Sequence, residues 1–165
     1  MLEPKIGKVV VNISVGKSGE PLEKATKVLK EITGQNPCKR RAKDSIRDFN
    51  VRKGESIACI VTLRGEKARE FLNKALPVID KKLSSRSFDK QGNFAFGLKE
   101  HIELPGVKYD PDVGIFGMDV CVSMIRPGYR VKSRRKHRGK IGAKHVLTPE
   151  EAMAFTKETF GVEIV

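Results

Sequence analysis

The sequence predicts an α+β fold with a mainly antiparallel sheet. Three observations carry this expectation. Strand-like stretches occur at residues 5–15, 56–64 and 117–125, the first two with a two-residue apolar period. Helical stretches alternate with them in no regular strand–helix–strand repeat. Of the 165 residues, 39% are hydrophobic, which suits a real core in one domain spanning 1–165.

Each element has its own justification. In KIGKVVVNISV (5–15), Val9, Val11, Ile13 and Val15 share one face, and Lys8, Val10, Asn12 and Ser14 share the other. One face is therefore core and the other half polar. A turn holding Gly16 and Gly19 leads to a helix over 20–33, with Leu22, Ala25, Leu29 and Ile32 as its buried stripe and Gly34 as its stop. Residues 35–40 suit a short edge segment, because Pro37 argues against a central strand. Residues 41–55 are polar, basic and aperiodic, so they read as a long loop or hairpin connection. In SIACIVTLR (56–64), Ile57, Cys59, Val61 and Leu63 oppose Ala58, Ile60, Thr62 and Arg64. A helix follows Gly65, with Ala68, Phe71, Leu72, Ala75 and Leu76 on its apolar side and an interruption at Pro77. Residues 84–97 are rich in Ser, Gly and Asn, and 98–104 form a candidate strand before Pro105 and Gly106. Residues 117–125 form another, ended by Pro127 and Gly128. Thr148, Pro149 and Glu151 spell a capping box for a last helix that Gly161 ends.

The net charge is +13, and it is concentrated. Residues 39–53 hold seven basic and two acidic side chains, and residues 126–145 hold nine basic and no acidic ones. The remainder has 17 basic against 18 acidic residues. Two cationic segments on a near-neutral body are the footprint of a nucleic-acid binder. The segment 126–145 has Gly, Pro and no apolar period, so it reads as a long loop that orders on RNA as phosphates neutralise it.

Enzyme chemistry finds no machinery. No P-loop is present, and GKSGE (16–20) is not a dinucleotide fingerprint. Cys38, Cys59 and Cys121 lack ligand spacing and read as small buried thiols in a reducing cytoplasm, so no metal or other cofactor is expected. His101 reads as a surface or core-edge group, and His137 and His145 as part of the basic loop. GNFAFG (92–97) puts two Phe at i and i+2, suited to stacking bases or, more simply, to the core. No apolar run reaches membrane-spanning length, so no membrane partner is expected.

Together, VVVNISVG (9–16), KEITGQNP (30–37), RAKDSIRDFNVRKGE (41–55), VTLRG (61–65), GNFAFG (92–97) and GIFGMDV (114–120) give the chain its resemblance to the universal large-subunit ribosomal protein five family. The segment 126–144, headed by RPGYR, resembles the archaeal and eukaryotic form. Cys38 stands where that family usually has a small apolar residue.

The resemblance implies helices on one side of an antiparallel sheet and an open face that binds 5S rRNA. It implies no catalysis, a cytoplasmic, ribosome-bound location and a place in the central protuberance. The implied 5S rRNA contacts are Asn12, Gln35, Lys39, Arg40, Phe49, Thr62 and Arg64. Gln35 equally suits a turn amide, and Phe49 a core anchor. Lys43, Arg47, Arg52 and Lys53 would meet P-site tRNA. Further RNA contacts are assigned to Arg126, Arg130, Arg134, Arg135, Lys136, Arg138 and Lys140. Implied partners also include 23S-type large-subunit rRNA, neighbouring 5S-binding ribosomal proteins and a small-subunit head protein at an inter-subunit bridge. A free RNA-binding regulator and an RNA-modifying enzyme are the competing classes. The first would wash off ribosomes in salt, and the second lacks a nucleophile, metal site or cofactor loop.

Overall fold

The computed structural model describes residues 2–107 and 109–165. In chain order the elements are β1 (Lys5–Ser14), α1 (Glu20–Thr33), β2 (Cys38–Arg41), β3 (Ser56–Leu63), α2 (Glu66–Ala75), β4 (Lys82–Leu83), β5 (Phe94–Leu98), β6 (Met118–Ile125), α3 (Arg130–Ser133), α4 (Pro149–Phe160) and β7 (Glu163–Ile164). A mainly antiparallel five-stranded sheet runs in the order β2-β3-β1-β6-β5, as the α+β expectation requires. Its buried face carries Val9, Val11 and Ile13 from β1, Cys59, Val61 and Leu63 from β3, and Met118, Val120, Val122 and Met124 from β6. Among the described residues no helix is long and apolar enough to cross a membrane.

The chain divides into two compact units. One comprises residues 10–63 and 97–120. In it α1 packs on β3, burying Leu22, Ala25, Val28 and Leu29, while Ile32 is only half-buried. Gly34 closes α1 at φ 62°, and its N–H reaches the Lys30 carbonyl at 2.8 Å. β2 pairs antiparallel with β3 alone and is an edge of the sheet, in keeping with Pro37 just before it.

The strand expected over 98–104 is displaced. The strand is β5, where Phe94 and Leu98 are buried and Ala95 and Gly97 are exposed. The Gly and Asn content around it hid that alternation. Phe94 is 3% exposed, so it is a core residue and not a stacking platform. Beyond β5 the chain makes a 3-10 turn, because His101 is held otherwise. Its N–H donates to the Phe116 carbonyl at 3.0 Å, and its Nδ1 accepts the Phe116 N–H at 3.2 Å. His101 is buried, not a surface group.

That clasp requires a neutral imidazole with Nδ1 unprotonated. Burial lowers the His101 pKa, against the carboxylates of Glu31 and Glu100. The folded value lies below the ordinary 6.5, so this contribution to stability is intact above pH 6.5 and is lost as pH falls through and below it. Denaturant unfolding at pH 5.0 and 7.5 should show the loss, whereas His101→Asn, whose Oδ1 accepts without titrating, should flatten it. Equal pH slopes in the two proteins would contradict the clasp.

The other unit comprises residues up to 9, 64–96 and 121–165. α2 buries Ala68, Phe71, Leu72 and Ala75, and Pro77 converts the chain to a 3-10 turn. β4 and β7 form a separate two-stranded parallel sheet, which pairs only two residues from each strand. Asn93 sets the start of β5 against β6, its Oδ1 accepting the Met124 N–H at 3.0 Å and the Ser123 hydroxyl at 3.2 Å. Gly92 precedes it at φ 74°, and a Cβ there would lie 2.8 Å from that of Ala152. α4 opens on the expected capping box. Thr148 Oγ1 accepts the Glu151 N–H at 3.4 Å, and Glu151 Oε2 accepts the Thr148 N–H at 3.0 Å.

Of the three thiols only Cys59 is buried. Cys121 falls on the exposed positions of β6 and Cys38 lies on the edge strand, which overturns the expectation of three buried thiols.

Candidate nucleic-acid interface

Alternation along each strand decides which polar groups face outward. On β1, Asn12 lies between buried Val11 and Ile13 and points to the opposite face. Its Nδ2 donates to Ser14 Oγ at 3.0 Å, which leaves Oδ1 to accept from a ligand. On β3, Thr62 is exposed between buried Val61 and Leu63. Neither is sealed under α1, which packs on the side of Cys59 and Val61.

The β2–β3 register sorts the neighbouring cations. Arg40 stands opposite Ala58, on the Thr62 face. Lys39 stands opposite Cys59, on the helix side, and pairs with Glu23 of α1. The structure therefore separates Lys39 from the face where the sequence reading had put it. Arg64 is exposed one residue beyond β3, and Gln35 is half-buried just after Gly34, its N–H 3.4 Å from Thr33 Oγ1.

Residues 42–55 form a hairpin. Ile46 and Val51 exchange backbone hydrogen bonds at 2.9 and 3.1 Å, and Ala42 and Glu55 close the base at 2.8 Å. Glu55 also accepts from the Ser18 hydroxyl and the Arg52 N–H, which together hold its carboxyl below the usual range. Phe49 sits in the tip turn at 73% exposure, so it is no core anchor. Lys43, Arg47, Arg52 and Lys53 are all exposed, and among the described residues no acid lies within ion-pair reach of them. Val15, Ile46, Phe49, Val51 and Ile57 line an open, mostly apolar pocket of about 590 Å3, with Lys17, Arg41 and Lys43 among its remaining residues.

The second basic segment is held by contacts of its own. Tyr129 Oη accepts the Leu147 N–H at 2.8 Å, and the His145 ring Nε2 lies 2.8 Å from the Pro127 carbonyl. Arg134 Nε donates to the His137 carbonyl at 2.6 Å, and Arg138 Nε to the Lys132 carbonyl at 2.7 Å. A single helical turn, α3, lies within it. Arg130, Arg134, Arg135, Lys136, Arg138 and Lys140 are exposed and free of acids among the described residues.

Arg126 differs. It is 5% exposed, pairs through Nη2 with Glu151 Oε1 at 2.6 Å, and reaches the His145 and Val146 carbonyls at 3.4 Å. Its charge is neutralised inside the protein, so it is an anchor for the segment and not an exposed phosphate contact. Sequence reading missed this because the partner carboxylate lies on another element; the one signal was the acidic first turn of α4. Among the described residues no cluster of three or more His, Cys, Asp or Glu side chains could hold a metal ion.

A family model described as "Ribosomal protein L5" matches residues 1–52, and a second model, for the C-terminus of the same ribosomal family, matches residues 56–155. The chain belongs to the ribosomal L5 family. Curated relatives named large ribosomal subunit protein uL5 agree. The protein of Pyrobaculum aerophilum is 55% identical over 159 residues, covering 96% of this chain and 89% of the relative. That of Aeropyrum pernix is 54% identical over 166 residues, covering 100% and 86%. That of Sulfolobus acidocaldarius is 48% identical over 160 residues, covering 97% and 90%. The family resemblance read in the sequence holds. An L5-family protein is a structural constituent of the large ribosomal subunit and not an enzyme, and its place is on the ribosome in the cytoplasm.

Proposed function

We propose that this L5-family protein binds 5S rRNA through the open face of β1 and β3 and helps attach it in the central protuberance. The observation that carries the proposal is the outward placement of Asn12 and Thr62 on the face away from α1. Asn12 Oδ1 and the Thr62 hydroxyl suit sugar 2′-hydroxyls and phosphate oxygens, and Arg40 and Arg64 suit phosphates. Gln35 supplies a further amide. Lys39 contributes once its pair with Glu23 opens. Phe49, exposed above an apolar pocket, suits stacking on a base.

Lys43, Arg47, Arg52 and Lys53 on the hairpin contact P-site tRNA in this proposal. Backbone contacts carry no sequence information, which suits a surface meeting many different tRNAs. The cations of 130–140 take large-subunit rRNA of the 23S type. Neighbouring 5S-binding proteins and a small-subunit head protein at an inter-subunit bridge complete the partners.

Protection footprinting of purified 5S rRNA at physiological salt tests the core of this. Asn12→Ala and Thr62→Ala should each weaken binding about fivefold, the value of one hydrogen bond of about 1 kcal/mol. The triple variant with Gln35→Ala should lose the footprint at equal protein concentration. Unchanged binding by that variant would remove the assigned face from the interaction.

A further inference from the structure

We infer that Asp119 reads a base on the RNA face, accepting hydrogen bonds from the Watson–Crick edge of an unpaired guanine. The inference rests on the 5S rRNA reading above and deepens it. Asp119 is exposed on β6 between buried Met118 and Val120, so it points away from the core, as Asn12 and Thr62 do. It is the sole acidic residue in the five strands of the main sheet.

Its oxygens are open to a donor. Among the described residues no N–H or O–H donates to it and no cation pairs with it. On neighbouring β5 stands Gly97, where an added Cβ would lie 3.9 Å from Asp119 Oδ1. Gly97 does not have the left-handed backbone that calls for glycine. A side chain there would make ordinary contact with the carboxylate, and glycine leaves that side of it bare.

A carboxylate accepts and never donates, and it repels phosphate. RNA lying over it must therefore present a donor. Guanine N1–H and the N2 amino group are adjacent donors that match both carboxylate oxygens, whereas adenine and cytosine each offer a single amino group on that edge. Such charge-assisted, two-point contacts are the strong ones, and unpaired bases expose this edge for recognition. Asn12, Thr62 and Arg40 would then hold the backbone while Asp119 selects the base.

The opposite view, a merely solvated carboxylate beside a polyanion, predicts the reverse sign. Equilibrium binding of in vitro transcribed 5S rRNA to the full chain, across a salt series, separates the two. Asp119→Asn keeps shape and removes the charge. On base reading it should weaken binding about tenfold with an unchanged salt slope, because no phosphate contact is lost. Single guanine-to-inosine replacements in 5S rRNA assembled from synthetic halves should weaken wild-type binding at one position. At that position the gap between wild type and variant should close. Equal or tighter binding by Asp119→Asn overturns the inference and leaves the 5S rRNA reading standing. Failure of the wild-type protein to bind 5S rRNA overturns both.

Discussion

Neutralising Arg134, Arg135, Lys136, Arg138 and Lys140 together, each to Gln, should weaken binding to large-subunit rRNA by about a thousandfold near 0.15 M salt. Each phosphate contact contributes a slope of roughly 0.7–0.9 to the dependence of log affinity on log salt. Losing five should flatten that slope by about 4. All five side chains are exposed, and none pairs with an acid among the described residues. Arg134 and Arg138 use Nε for internal carbonyls, which orients their terminal nitrogens before any RNA arrives. Arg134→Lys and Arg138→Lys should therefore lose affinity while the salt slope stays nearly constant. A salt slope unchanged in the five-site variant on large-subunit rRNA would place the interface elsewhere.

Glu151→Ala should lower the unfolding free energy by about 3 kcal/mol or more. It strands the buried Arg126 guanidinium, which keeps only two 3.4 Å contacts to carbonyls and whose Nε has no partner among the described residues. It also removes half of the capping box, worth about a further 1 kcal/mol. Arg126→Met should cost less, because it removes the buried charge and leaves Glu151 in water. Glu151→Gln should fall between, since its amide oxygen still accepts the Thr148 N–H. Denaturant unfolding of the three variants reads the order directly, and a Glu151→Ala protein within 0.5 kcal/mol of wild type would exclude the anchor.

The same pair sets an acid sensitivity. The Thr148 backbone N–H first, then Arg126, hold the Glu151 carboxyl below its ordinary 4.5. A depressed folded value means the contribution is present above about pH 4.5 and is lost as pH falls through the folded value. Glu151→Gln should remove that part of the acid transition. Buried Arg126, paired with the partly exposed carboxylate of Glu151, thus ties the start of the basic segment to α4, alongside the Tyr129 and His145 contacts.

Much of the fold was legible because it is local. The two-residue period put Val9, Val11 and Ile13 inside and Asn12 outside, and did the same for Val61 and Thr62. Gly34 and the Thr148–Glu151 box marked helix ends through backbone chemistry contained within four residues. β5 was misread because Gly and Asn dominate its surroundings, and because the His101–Phe116 clasp ends it early. β4 and β7 were unreadable, since two-residue strands have no period and exist only through pairing across the chain.

The site divides along the same line. By itself the sequence determined the α+β class, the two cationic segments, the absence of enzyme motifs and the outward polar positions on β1 and β3, since all of these follow from composition or from spacing within one element. Tertiary structure alone decided that Lys39 faces Glu23 while Arg40 faces outward, that Arg126 is buried against Glu151, that Phe49 stands exposed at a hairpin tip, and that Asp119 is left without a partner among the described residues. Those outcomes depend on pairing register and on contacts between residues far apart in the chain. A shift of one residue in register moves a charge from one face of a sheet to the other.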